Sequence, residues 1–237
     1  MPKKFIMCKG KVLKKKGRVF IMSVKRGVTW PDRREIVEQL GGEKNVLLLN
    51  VTSQSLKYRD TFSPMYISNN NNYKDGFYCF ENWYQSGKVL KGIPRESRVK
   101  WWKDQKKGKR KYPKTDFKKN PVLYTQWDDI DRGRRLDYIE SRILAYVPEY
   151  WNLIKDNKQF IDLKSNVNKG LNIIVIDQDG PYKPRQDDSN YNIPEIREVN
   201  LELLKEKIKD TKYPFGHGYV VAAGLLNIDH YLYTRDV

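Results

Sequence analysis

Histidine and cysteine are scarce in this 237-residue chain, which holds two of each. His217 and His230 are too few for histidine-rich metal chemistry, and Cys8 with Cys79 makes no metal cluster. A chain of this length does not need a single disulfide to fold, so both read as reduced thiols, Cys79 buried beside Phe80. No apolar run approaches the roughly 18 residues that span a bilayer, so no membrane partner is expected. The basic N-terminus lacks a continuous apolar core behind it and is a poor signal peptide. The chain is therefore expected not to be secreted; cytoplasmic and nuclear-type compartments and a virion interior stay open. A phosphate-binding glycine loop, a dinucleotide fingerprint and H-E-x-x-H are all missing, and no cofactor or metal is expected.

Acids are also in short supply. Lys and Arg number 46 against 29 Asp and Glu, a formal net charge of +17. Such an excess points to a polyanionic partner, nucleic acid first, but says nothing about fold. The excess is concentrated in two blocks. Up to about residue 27 the chain carries Lys14, Lys15, Lys16 and Arg18 among other cations, with no acid until Asp32. Between Lys100 and Lys119, ten Lys or Arg face two acids. Trp101 and Trp102 precede Lys106, Lys107, Lys109, Arg110 and Lys111 there, and charge beside rings suits a single strand whose phosphates are held and whose bases stack. A solvated loop with its tryptophans in the core fits the same pattern.

What is present is enough apolar and aromatic material for a globular core: 39% hydrophobic residues, with 16 Tyr and 6 Trp. R-V-F-I-M-S-V from Arg18 has strand character, and Val46–Val51 is the best candidate for a buried strand. Pro31 and Asp32 open a short helix closed by Gly41-Gly42, and 52–75 reads as a long polar loop. Leu136–Ile154 has the strongest helical spacing, with Pro148 expected to kink or split it. Asn172–Ile176 is a β-branched run whose exit carries Asp177 and Asp179. Helices are expected over Pro194–Ile208 and from Tyr219 to about Leu226, the latter after a glycine-bounded turn holding His217. No internal repeat or linker stands out. The expectation is one α+β, mainly helical domain over 46–237 with a small sheet, a basic N-terminal extension over 1–45 and a basic insertion near 100–119.

F-E-N-W-Y-Q-S-G-K, from Phe80 to Lys88, is the most informative stretch. As a helix it would align Glu81, Gln85 and Lys88 at i, i+4 and i+7, with Phe80, Trp83 and Tyr84 on the apolar side. An acid, an amide and an amine in line could grip a polar ligand; they could equally form an exposed helix face.

These pieces together resemble the YbiA-like family, also called NADAR, over roughly residues 50 to 226. The resemblance starts at S-P-M-Y-I from Ser63 and is clearest at F-E-N-W-Y-Q-S-G-K, where the family's glutamate, glutamine and lysine fall on Glu81, Gln85 and Lys88. Trp127 ahead of the long helix, the acidic strand exit around Asp177–Gly180, and G-H-G-Y-V-V-A-A-G-L-L from Gly216 follow in the same order. Asn82 stands where the family usually has histidine, and the basic arm and insertion are extra. The resemblance implies an N-glycosidase acting on the bond between ADP-ribose and a guanine base in nucleic acid, or on a related ADP-ribose derivative.

On that implication Glu81 serves as base or counter-charge, and Lys88 as phosphate ligand or Schiff-base amine. Gln85 orients hydroxyls, Trp127 stacks on a base or nicotinamide ring, Asp179 or Asp177 binds ribose hydroxyls or assists the proton transfer, with Asp179 counted beside Glu81 and Lys88 as catalytic, and His217 lies near a pyrophosphate. Each has a plainer reading: a solvated helix face for Glu81 and Lys88, core for Trp127, a turn cap for the aspartates, a packed turn for His217. Two other classes remain: a non-catalytic nucleic-acid-binding or packaging protein on the same fold, and a structural component of a larger particle such as a virion.

Overall fold

A computed structural model describes residues 15–24, 32–67, 73–74, 76–109, 111–113, 118–183 and 193–235. The first half contains strand β1 (Val19–Ser23), helix α1 (Arg34–Gln39), β2 (Val46–Asn50), α2 (Arg59–Phe62) and α3 (Phe80–Ser86), then β3 (Lys88–Leu90), α4 (Arg95–Lys103) and β4 (Val122–Thr125). The second half runs α5 (Tyr138–Ser141), a π-helical turn (Arg142–Tyr146), α6 (Val147–Ile154), α7 (Lys158–Asn168) and β5 (Asn172–Asp177). It finishes with β6 (Tyr182–Lys183), β7 (Ile193–Pro194), β8 (Ile196–Glu198), α8 (Leu201–Ile208), α9 (His217–Leu225) and α10 (Tyr231–Thr234). The fold is α+β. Among the described residues no helix is long and apolar enough to cross a membrane.

The main sheet has the order β2-β5-β1-β8. β1 and β2 both run parallel to β5, and β8 lies antiparallel on β1. Strand alternation divides the side chains cleanly. Val19, Ile21, Leu49, Val51, Ile173 and Val175 join the large core under the helices. Phe20, Met22, Ile174 and Ile176 face the other way, against Leu40 and the half-buried Ile36 and Val37. β1 and β5 are buried at every position, as strands covered on both faces must be. β2 is a half-buried edge, with only Leu49 of its five residues fully buried.

Helix α9 is apolar all round and buried at every position, so it sits at the centre. Its last turn is held by Lys16, whose ammonium donates to the Leu226 carbonyl at 2.7 Å, a cation where the helix dipole favours one. α5 begins with a capping box in which Asp137 accepts from the Glu140 N–H and Glu140 answers to the Asp137 N–H. Pro148 splits the long helical stretch: the π-helical turn precedes it and α6 starts around it.

Three sequence expectations need correction. The boundary at residue 45 fails to separate an extension, because β1 inside it pairs on both sides and fills the middle of the sheet. The expected helix from Pro194 is extended through Glu198: Ile196 and Arg197 complete the ladder with β1, and helix begins only where Asn200 caps the Leu203 N–H at 2.8 Å. The helix from Phe80 stops at Ser86. Gly87 follows it under the Trp127 indole, where a Cβ would stand 2.0 Å from the ring, and Lys88 opens β3 against β4. Lys88 therefore does not share a helical stripe with Glu81 and Gln85.

The position of β1 makes a direct prediction. A chain starting at residue 25 should lose cooperative thermal unfolding followed by circular dichroism, whereas one starting at residue 15 should keep it. A native-like transition without β1 would contradict the topology.

Candidate active site

Parallel strands leave a crevice beyond their carboxyl ends, the usual ligand position in such sheets. Here β2 leads into Thr52 and Ser53, and β5 ends in Asp177 followed by Gln178 and Asp179. A cavity of about 240 Å³ opens there, lined by these residues with Ser63, Met65, Glu81, Tyr146 and His217. The sequence-derived candidates Glu81, Asp177, Asp179 and His217 thus converge.

The join between β5 and α9 builds the floor. Asp177 is buried, 1% exposed, and its Oδ2 accepts the Gly218 N–H at 2.7 Å from the first turn of α9. Its Oδ1 accepts the Gln178 N–H at 2.7 Å, and His217 Nδ1 lies 3.3 Å from Oδ2. His217 Nε2 donates to the Val51 carbonyl at 2.9 Å, tying the same turn to the end of β2. The glycines of G-H-G are a steric requirement. A Cβ at Gly216 would stand 2.5 Å from Asp177 Oδ2 and 2.6 Å from Asp179 Cβ, and one at Gly218 would stand 2.7 Å from Asp177 Cβ. The backbone N–H that could have met a pyrophosphate near His217 already holds Asp177. Asp177 and His217 are framework, and Asp179 is the strand-exit carboxylate beside the cavity.

Glu81 stands in the first turn of α3, where its own N–H donates to the Pro64 carbonyl at 2.9 Å. Gln85 one turn on donates from Nε2 to Glu81 Oε1 at 2.8 Å, so the amide orients the carboxylate. Lys88, on β3, is not among the residues that line the cavity; its ammonium lies 5.8 Å over the Tyr84 ring. Burial lowers its pKa from the ordinary lysine value, with Arg98 adding to that and the charges of Glu81 and Asp179 opposing it. Tyr146, read from the sequence as core, presents a phenol to the cavity. Burial foremost, then Glu81, Asp177 and Asp179, raises its pKa well above the usual value and keeps it a neutral hydrogen-bond donor. Thr52, Ser53 and Ser63 supply further hydroxyls. The signal that could have found Thr52 and Ser53 was their place just past a strand end.

Other candidates lie elsewhere. Trp127 is 3% exposed and stacked between Trp83 and Tyr84, ring centroids 5.3 and 5.4 Å away, with its indole N–H on the Trp83 carbonyl at 3.1 Å. Buried in this way, its ring presents no open face to a base. Trp102 is fully buried, and Trp101 packs edge-on against Trp102 and Tyr112. Trp102 therefore offers no stacking face to a base, whereas Trp101 is half-buried. Arg18 is paired with Glu198, and Lys16 is spent on α9, while Lys15 is exposed. Lys14 and Arg110 lie outside the described residues.

Lys106, Lys107 and Lys111 are exposed and Lys109 half-buried. Asn82 fixes this loop: its Nδ2 donates to the Lys107 carbonyl at 3.1 Å and its Oδ1 accepts the Lys109 N–H at 2.9 Å. Gly108 between them lies so close to Met65 that a Cβ would meet its carbonyl at 2.5 Å. Met65 lines the acidic cavity, so a basic loop stands at its rim. Among the described residues no group of three or more His, Cys, Asp or Glu is arranged to hold a metal ion.

Framework and chemistry separate in a stability measurement. Asp177→Ala strands the Gly218 and Gln178 N–H groups, and should cost about 3 kcal/mol in urea unfolding, at about 1–3 kcal/mol per orphaned buried group. Glu81→Gln, which keeps shape and hydrogen bonding, should stay within about 1 kcal/mol. Equal losses would contradict the division. No protein-family model, curated protein or solved structure matches this chain.

Proposed function

We propose that this protein is an N-glycosidase that hydrolyses the bond between ADP-ribose and a guanine base in nucleic acid, or in a related ADP-ribose derivative, on a YbiA-like (NADAR) fold. The observation that carries the reading is the convergence of Glu81 and Asp179 on one cavity at the carboxyl end of the parallel strands, with Lys88 in electrostatic reach of both. Cleavage of an N-glycosidic bond builds positive charge on the sugar, and carboxylates set in advance around that position stabilise it.

In this reading water attacks the anomeric carbon as the carbon–nitrogen bond breaks. The bonding pair leaves with the base, which takes up a proton. Glu81, oriented by Gln85, accepts the proton of the attacking water and offsets the charge on the sugar. Asp179 holds ribose hydroxyls; Asp177 is committed to α9 and drops out of that role. Lys88, its pKa lowered by burial, offers an alternative to direct attack by water: its neutral amine adds to C1 of the ring-opened sugar, the base leaves with its bonding pair and a proton, and water hydrolyses the resulting Schiff base to ADP-ribose and free lysine. Tyr146 donates to a sugar or base oxygen.

A second reading, non-catalytic nucleic-acid binding, has one observation in its favour: the exposed Lys106, Lys107 and Lys111 on a loop that Asn82 holds at the cavity rim. One assay separates the two. ADP-ribose release from guanine-ADP-ribosylated DNA should proceed with the native protein and fall by about 10²-fold or more in Glu81→Gln, the scale of a lost general base. No release by the native protein, together with binding to unmodified DNA that weakens steeply with salt, would overturn the enzyme reading in favour of the second.

A further inference from the structure

Helix α4 carries an excess of hydrogen-bond donors on the side turned to the protein. Arg95 Nε, Arg98 Nε and Nη1, and Trp102 Nε1 are all shut off from solvent with no acceptor among the described residues. Arg95, Arg98 and Trp102 are spaced i, i+3 and i+7, one face of a helix. Buried donors without partners are rare and costly, and Arg95 Nε belongs to a residue that lines the cavity described next.

Beside this face lies a second cavity of about 340 Å³, within the roughly 300–1,000 Å³ common for small-ligand sites. Arg95, Val99 and Lys103 line it from successive turns of α4, facing Phe77, Trp83 and Trp127. It shares no lining residue with the acidic cavity. Trp83 and Trp127, stacked on each other, give this space an aromatic wall. Lys74 sits 4.5 Å over the Trp83 ring and Lys103 sits 5.3 Å over Phe77, so these faces already have their cations. That disfavours a cationic guest, although Asp128 and Asp129 also line the cavity. Asp129 shares the Lys74 ammonium, 2.6 Å away, with Glu149 at 2.9 Å from it. Asp128 holds Arg95 Nη2 at 2.9 Å with its own side chain 85% exposed, a surface pair that a ligand can replace.

The geometry points to a second ligand site here, for a phosphomonoester with a flat hydrogen-bonding body: a nucleotide, either free or as one unit of a strand. Arg95 and Lys103 receive the phosphate, and Trp83, Trp127 and Phe77 border the body. The site stands independently of any chemistry at Glu81.

Calorimetric titration of the full chain with AMP, a short single-stranded oligonucleotide and choline tests it. AMP or the oligonucleotide should bind saturably. Affinity should fall by about tenfold in Arg95→Gln and again in Lys103→Gln, the effect of one charge-assisted hydrogen bond each, while Glu81→Gln leaves it unchanged. Binding of AMP identifies a free nucleotide as sufficient; binding of the oligonucleotide alone, with the same two sensitivities, identifies a strand. Three results would overturn the site: binding of neither, binding indifferent to Arg95 and Lys103 in variants that keep the native melting temperature, or preference for choline.

Discussion

The carboxylate of Asp177 joins the two halves of the architecture. It ends the middle of a parallel run and accepts the N–H that opens the central helix, so sheet and helix meet through one buried anion. A carboxylate at a helix N-terminus is favoured by the dipole as well as by the hydrogen bond. Everything around it follows from the closeness this requires. Gly216 and Gly218 must lack side chains, His217 is turned to Val51, and Asp179, two residues on, is left beside the cavity instead of in the join. α9 is anchored at its other end by Lys16, just before β1, so the strand beside β5 also fixes the helix.

The protein's charge is divided by place. A chain with a net charge of +17 gathers carboxylates at one cavity and sets a lysine-bearing loop on its rim. Asn82 is the hinge of that division: it neighbours Glu81 on α3 and holds the loop backbone on both sides of Gly108. Asn82 is thus used to fasten the basic segment to the helix that carries Glu81. The gain is a fixed loop, with its cations set by backbone hydrogen bonds.

Much of this was legible in the sequence, for reasons particular residues make plain. β1 and β5 announce themselves as unbroken apolar, β-branched runs because both faces are covered. The acid and glycine motifs marked Glu81, Asp179 and the turn into α9. Sequence spacing failed where a distant partner decides the outcome. Lys88 has helical spacing from Glu81, but the Trp127 ring against Gly87 diverts the chain into β3. Ile196 and Val199 fit a helix as well as a strand, and pairing with β1 settles it. Trp127 and Trp102 looked like stacking surfaces because local sequence does not say which rings cover which. Tyr146 hid in a periodic helix whose π-helical turn is not written in its spacing.

Under the proposed activity the sugar sits in the cavity between Glu81 and Asp179. Diffraction from crystals grown with ADP-ribose would locate it. Density for the ribose is expected between these two carboxylates, beside Tyr146. Ligand bound elsewhere, or this cavity empty at saturating ADP-ribose, would contradict that placement.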